Sequence, residues 1–335
     1  MFKMNKPMMI AGVAYAVPET VITNDDLSRI LDTSDEWIRT RTGISERHVC
    51  SGEENATDLG IRAAKGAIEK SKINPEDIDI IIAAASVPHY AYPSTACVIQ
   101  SAVGAKNATA FDISAACSGL IYSMKIAKAF ISSGMAKNIL LVACDANSKF
   151  ANWEDRSVCV LFGDGAGAMV VKESEDGVDD IIEIETVSDG DKGKLITMPI
   201  SGKNCVLVEP NKQEPMHIHM NGKEVYKFVV TTLPDAIAKC IEHSGHIPED
   251  IDYLIPHQAN LRIIDAMAAR LNYDSDKVIV NIDKYGNTSA ASIPIALCEG
   301  VAEGKIKLPC KAILTGFGAG MTYGTAIVRL RDGVC

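Results

Sequence analysis

Apolar residues along this chain fall into two patterns. Short, mostly apolar runs occupy residues 8–17, 80–85, 108–113, 138–143, 253–255, 278–282 and 312–316. Runs of that length without polar alternation fit strands covered on both faces. Between them lie stretches with helical periodicity, at residues 56–70, 225–243 and 260–271. Another helix starts at or just after Cys117, is carried by Leu120, Ile121, Met124, Ala127, Phe130 and Ile131, and stops at Gly134. Strands alternating with helices predict an α/β protein.

The order of elements repeats. PEDIDIII starts at Pro75 and PEDIDYLI at Pro248, 173 residues apart, each after a helix and before a short apolar strand. A further strand into a small-residue turn follows both, TAFDISAACSG from Thr109 and VIVNIDKYGNTSAAS from Val278. This predicts two duplicated α/β halves, residues 1–180 and 181–335, packed with buried central helices and the active site at their junction. The charged stretch at residues 172–180 marks the boundary.

Composition narrows the classes. With 335 residues, 47% of them hydrophobic, the chain can bury a large core. A net charge of −10 argues against nonspecific nucleic-acid binding, while leaving room for a local basic patch that meets an acidic partner. Ten cysteines without a C-x-x-C pair disfavour a disulfide framework or structural zinc, and fit reduced thiols in a cytoplasmic protein. Lys3 and Lys6 ahead of residues 8–17 outline a signal peptide, but Gly12 and the shortness of the run favour a first strand. No run reaches the ~18 apolar residues of a membrane span.

Three polar residues stand at strand ends. Cys117, in DISAACSG, lies where a strand turns into a helix, so unpaired N–H groups and the helix dipole favour its thiolate. A buried core cysteine is the ordinary reading for the other nine. His257, in IPHQAN, follows a strand, where α/β folds bind ligands. Asn287, in YGNTSAASIP, reads as a turn residue or as the second copy's counterpart of Cys117. FGDGAGA (residues 162–168) is spaced wrongly for a dinucleotide loop and runs into a strand rather than a helix. Gly318, Ala319 and Gly320 can bring backbone N–H groups to a ligand oxygen. His217 with His219, and His243 with His246, lack a third ligand, so no metal site is expected.

Together DEWIRTRTGISERH (residues 35–48), DISAACSG, LFGDGAGA, PHQANLRI and YGNTSAASIP resemble β-ketoacyl-[acyl-carrier-protein] synthase III, the initiating condensing enzyme of type II fatty acid synthesis. The resemblance runs from about Ile10 to Leu330. It implies a thiolase-like α-β-α-β-α sandwich, a homodimer, no cofactor, and condensation of a short acyl-CoA with malonyl-carrier protein. Cys117 matches the nucleophile, His257 and Asn287 the other catalytic residues, and the N–H groups of Cys117 and Ala319 the oxyanion hole. Trp37 and Arg156 match the residues that sandwich the adenine of coenzyme A, with Arg41 a nearby contact and Asn260 a contact to the pantetheine arm. Arg262 matches a carrier-protein docking residue, with Lys227, Arg270 and Gln258 beside it. Tyr92 stands where Phe is familiar in the acyl pocket, a position that reaches across the dimer, and its hydroxyl favours acetyl-CoA over branched primers. Ala319 replaces a glycine, and Ala269 a lysine of the docking patch. The alternatives are a starter-unit or ester-forming acyltransferase of secondary metabolism with the same three residues, a silent scaffold subunit, and an NAD-linked dehydrogenase.

Overall fold

The computed structural model describes residues 6–200 and 202–335; Lys3 lies outside them. Two sheets organise the chain. The first contains β1 (Met8–Ala16), β2 (Ile80–Ala84), β3 (Thr109–Ile113), β4 (Asn138–Asp145) and β5 (Gly165–Glu173), in the order β1-β5-β4-β2-β3. The second contains β6 (Ile181–Ser188), β7 (Tyr253–Pro256), β8 (Cys310–Gly318) and β9 (Thr322–Leu330), in the order β6-β9-β8-β7. Both begin with two antiparallel pairings and continue in parallel, so the second sheet repeats the first without its last strand. The run with signal-peptide outline is strand β1, and β5 begins inside the glycine-rich FGDGAGA.

The absent strand is the one expected over residues 278–282. Only Val278 pairs there, in a single parallel bridge to Leu254, and a helical turn follows at Ile282–Tyr285. The reason is Gln258. Its side-chain amide donates to Ile279 O at 3.1 Å and accepts from Asn281 N at 3.1 Å. A buried side chain thus takes the partners that a fifth strand needs for its ladder.

Seven longer helices complete the layers: α1 (Asp35–Thr42), α2 (Ala56–Ser71), α3 (Thr95–Val103), α4 (Gly119–Ser132), α5 (Gly222–His243), α6 (Leu261–Leu271) and α7 (Ser292–Ala302). Leu59, Ala63 and Ile99 of α2 and α3 pack on Ile81, Leu140 and Val170, the outer face of the first sheet. Val229, Ile237, Ile263 and Met267 of α5 and α6 pack on Ile313 and Ile327 of the second. Between the sheets, α4 (Leu120, Ile121, Met124) and α7 (Ile293, Ala296, Leu297) share one core with Ile82 and Leu141 on one side and Ile255, Leu314 and Val328 on the other. The result is an α-β-α-β-α stack in which α7 is buried throughout Ser292–Gly300, while α4 buries one face and leaves Lys125 and Ala129 exposed.

That burial depends on small residues. A Cβ on Gly119 would stand 2.7 Å from the Ala84 Cβ, and one on Gly167 would stand 2.0 Å from the Cγ of Pro294 in α7. Sheet and helix therefore touch through hydrogen atoms alone. Gly167→Ala is expected to lower stability by about 1–3 kcal/mol, as overpacked cores do. Urea unfolding followed by circular dichroism checks this, as a lower midpoint at unchanged slope.

Candidate active site

Cys117 lies in a 3-10 turn, Ala116–Ser118, between β3 and α4. The second sheet has an equivalent turn, Ser289–Ala291, leading into α7. The 173-residue offset places Ala290, not Asn287, opposite Cys117 in the repeat. It also pairs Ala116 (φ 45°) with Ser289 (φ 55°), two non-glycine residues in the left-handed region. Such backbone costs on the order of 1–3 kcal/mol each and concentrates at functional sites. Asn287 stands three residues before Ala290, held by its own pairing: its N–H donates to Leu161 O at 2.9 Å and its carbonyl accepts from Gly163 N at 3.1 Å.

The three residues converge nonetheless. Cys117, His257 and Asn287 all line one cavity of about 770 Å³, with Ala319 beside them. The Ser289 hydroxyl is 3.3 Å from Cys117 Sγ, and the Ser289 N–H donates to Asn287 Oδ1 at 2.9 Å. With its carbonyl end so tied, Asn287 offers its NH2 end to the cavity. His257 Nδ1 sits 2.7 Å from Ser292 Oγ, which also accepts from Gln258 N at 3.2 Å. The imidazole meets Phe317 edge-on, with ring centroids 5.5 Å apart. Burial holds the ring neutral, down to about 3, although contact with the Ser289 backbone favours the charged form. Gly316 and Gly318 give room for this packing: a Cβ on Gly318 would lie 2.5 Å from Cys117 N.

The electrostatics of Cys117 differ from the sequence expectation. The helix proper begins at Gly119, so Cys117 sits two residues ahead of it. Burial pushes its thiol up to about 12, over the opposing hydrogen bond from Ser289, and the negative charge of Asp145 adds to the rise. Cys117 is therefore a thiol at rest, because desolvation in this cavity outweighs the helix terminus.

The remaining candidates separate. Trp37 and Arg41 line the cavity at α1, with the Arg41 guanidinium 4.6 Å from the indole centroid. Arg156 also rests on that indole, at 5.0 Å, and bonds Asp32. An adenine between Trp37 and Arg156 thus requires Arg156 to swing away. Asn260 lines the cavity while capping α6 through Arg262 N and donating to Arg41 O at 3.0 Å. Arg262 and Lys227 are exposed. Arg270 is exposed and pairs with Asp235 at 2.9 Å and with Val230 O. Gln258 is not a docking residue as the resemblance implied: it is 1% exposed and its amide is consumed by Pro256 O, Ile279 O and Asn281 N, so it cannot meet a carrier protein. Tyr92 does not line this chain's cavity and is 87% exposed, so it does not shape the pocket of its own subunit. His219 falls on a two-residue strand, His243 pairs with Glu185, and no group of three metal-binding side chains occurs among the described residues. No helix among them is long and apolar enough to cross a membrane.

Asp145, Ser289 and Ser292 were not singled out from the sequence. The two serines lie inside the YGNTSAASIP motif, and a charge closing the apolar run NILLVACD was a legible anomaly.

Comparison with known proteins agrees with this geometry. Residues 111–190 match the family model 3-Oxoacyl-[acyl-carrier-protein (ACP)] synthase III, and residues 241–330 match the model of its C-terminal part. The Beta-ketoacyl-[acyl-carrier-protein] synthase III of Caldanaerobacter subterraneus is 46% identical over 321 residues, 96% of this chain and 97% of that protein. That of Clostridioides difficile is 46% identical over 97% of this chain and 99% of its own length. The crystal structure of the Aquifex aeolicus 3-oxoacyl-[acyl-carrier-protein] synthase III superposes with a TM-score of 0.89 at 45% identity, covering 96% of this chain and all of that one. The priming β-ketosynthase of the R1128 polyketide pathway superposes at 0.90 with 31% identity, covering 98% of this chain and 97% of that one. With its thiolase-like α-β-α-β-α fold and near-complete coverage, the chain belongs to the 3-oxoacyl-[acyl-carrier-protein] synthase III family of condensing acyltransferases.

Proposed function

We propose that this enzyme condenses a short acyl-CoA, acetyl-CoA by preference, with malonyl-carrier protein, losing CO2 and giving a 3-oxoacyl-carrier protein. The observation that carries this is the convergence of Cys117, His257 and Asn287 in a single cavity with Trp37 and Arg41 at one end. Cys117 Sγ attacks the thioester carbon, and the C–S bond to coenzyme A breaks. The transient oxyanion takes hydrogen bonds from the N–H groups of Cys117 and Ala319, between which Gly318 presents no side chain. Malonyl-carrier protein then places its thioester oxygen against His257 and Asn287. In the neutral imidazole the tautomer with Ser292 O–H donating to Nδ1 leaves a hydrogen on Nε2, and Asn287 offers its NH2. Loss of CO2 leaves an enolate held by these two donors; its carbon bonds to the acyl carbon, the C–S bond to Cys117 breaks, and the released sulfur takes up a proton to restore the thiol.

Arg262 and Lys227 are the cations we assign to the acidic carrier protein, each exposed on the second half. We place the enzyme in the cytoplasm as a homodimer of chains with halves at residues 1–180 and 181–335, Tyr92 serving the pocket of the partner subunit. Exposure of a phenol this large suits a side chain that another copy covers. A second reading, priming of polyketide synthesis, is favoured by the R1128 likeness, but that protein is 31% identical where the fatty-acid relatives reach 46%.

With acetyl-CoA and malonyl-carrier protein, purified enzyme is expected to release one CO2 for each 3-oxoacyl product, and Cys117→Ala to form no 3-oxoacyl product. Turnover with alcohol acceptors, and none with malonyl-carrier protein, would instead identify an ester-forming enzyme. His257→Ala and Asn287→Ala are each expected to slow condensation about 10²–10³-fold, the usual cost of an oxyanion donor. Both should still accept an acetyl group on Cys117 at near wild-type rate. Single-turnover assays of the two half-reactions check this division, and loss of acylation in a folded variant contradicts it.

A further inference from the structure

The two N–H groups assigned to the oxyanion come from different halves of the molecule, so their spacing depends on what joins the loops that carry them. Cys117 belongs to the 3-10 turn after β3, and Ala319 to the short connection between β8 and β9. Gly318 sets how closely the loops approach: a Cβ there would lie 2.5 Å from Cys117 N and 2.8 Å from the Ala116 Cβ. A second contact sets how far apart they stand. The hydroxyl of Ser118, fully buried, donates to Oγ1 of Thr322, the first residue of β9, at 2.8 Å. Thr322 Oγ1 donates in turn to Ala319 O at 3.0 Å.

The proton order follows from the distances. Two hydroxyl oxygens 2.8 Å apart need a proton between them. Ser118 Oγ also lies 2.7 Å from Ala115 O, and Thr322 Oγ1 lies 3.0 Å from it, but that carbonyl already accepts the Ser118 N–H at 3.2 Å. Donation from Ser118 to Thr322, and from Thr322 to Ala319 O, therefore gives each carbonyl a donor. Gly320, at φ 131°, lets the connection turn against the Thr322 methyl: a Cβ there would stand 2.8 Å from Thr322 Cγ2.

We propose that Thr322, oriented by Ser118, is the positioning residue that holds the Cys117 and Ala319 N–H groups at the spacing an oxyanion needs. The bond from Ser118 ties Thr322 to the residue after Cys117, and the bond to Ala319 O fixes the backbone on the far side of the Ala319 N–H. Neither hydroxyl lines the cavity, so neither touches substrate. What the pair supplies is preorganisation: two loops from separate halves need not move as charge develops between them. That benefit exists only once the thioester oxygen has become an oxyanion. Its loss lowers the rate of acyl transfer at saturating acetyl-CoA and leaves the concentration for half-saturation alone. Loss of CO2 from malonyl-carrier protein draws on His257 and Asn287 instead.

This inference rests on the proposed acyl transfer to Cys117. The test is single-turnover acetylation by acetyl-CoA, read by intact mass, with CO2 release from malonyl-carrier protein in the absence of a primer measured on the same preparations. Thr322→Val keeps the shape and removes the hydroxyl. It should acetylate about 10–10²-fold more slowly at saturating acetyl-CoA, up to the cost of a lost oxyanion donor, and release CO2 at the wild-type rate. Thr322→Ser keeps the donor and should recover most of the acetylation rate. Ser118→Ala should slow the same step, and should add little to Thr322→Val, because the two hydroxyls act as a unit. Ser118→Ala decides the matter if Thr322→Val fails to fold. Wild-type acetylation in the deciding variant, an equal fall in both half-reactions, or a Thr322→Ser as slow as Thr322→Val overturns the positioning role alone. A wild-type chain that takes no acyl group on Cys117 overturns the reading beneath it.

Discussion

Two strand-to-helix turns must meet at close range between the sheets, and most of the molecule can be read as serving that contact. The turns at Ala116–Ser118 and Ser289–Ala291 launch the central helices α4 and α7. Packing around them leaves no space for a side chain at Gly119 against Ala84, at Gly167 against Pro294 or at Gly318 against Cys117 N, and each turn holds one residue at positive φ. A helix that is buried all round needs a sheet on either side, and a duplicated α/β unit supplies two. The active-site geometry is therefore a property of the seam. Cys117 comes from the first half, His257 and Asn287 from the second, and Ser289 touches both Cys117 and Asn287.

The same seam sets the chemistry. Closing it removes water from Cys117 and His257, which keeps the thiol protonated and the imidazole neutral at physiological pH. A neutral imidazole and an amide are hydrogen-bond donors without a competing charge, suited to an enolate that must form and then react. The same desolvation falls on Cys117, whose thiol it keeps protonated. Neutrality at His257 and reluctance at Cys117 thus share a single cause, desolvation.

Much of this was legible in the sequence, and the failures are local. The pentapeptide repeat, the short apolar runs and the small-residue turns were enough to expect two similar sheets with helices between them. The run VIVNI carried every sign of a strand. It fails because Gln258, from a loop distant in sequence, takes the hydrogen-bond partners at Ile279 and Asn281. The same fact removes Gln258 from the surface, which periodicity could not reveal beside the exposed start of α6. Asn287 was placed opposite Cys117 because both follow a strand, whereas its pairing with Leu161 and Gly163 sets it three residues earlier. The thiolate expected from a helix start was overruled by burial, a quantity that depends on both halves at once.

The central claim is that sulfur at residue 117, and none of the other nine cysteines, is the acceptor in the junction cavity. The direct measurement is to treat the enzyme with isotopically labelled acetyl-CoA, quench in acid, digest and locate the label by mass spectrometry. One acetyl group per chain, on the peptide carrying Cys117, is the result this account requires. Stable label on another cysteine, with Cys117 unmodified, would contradict it.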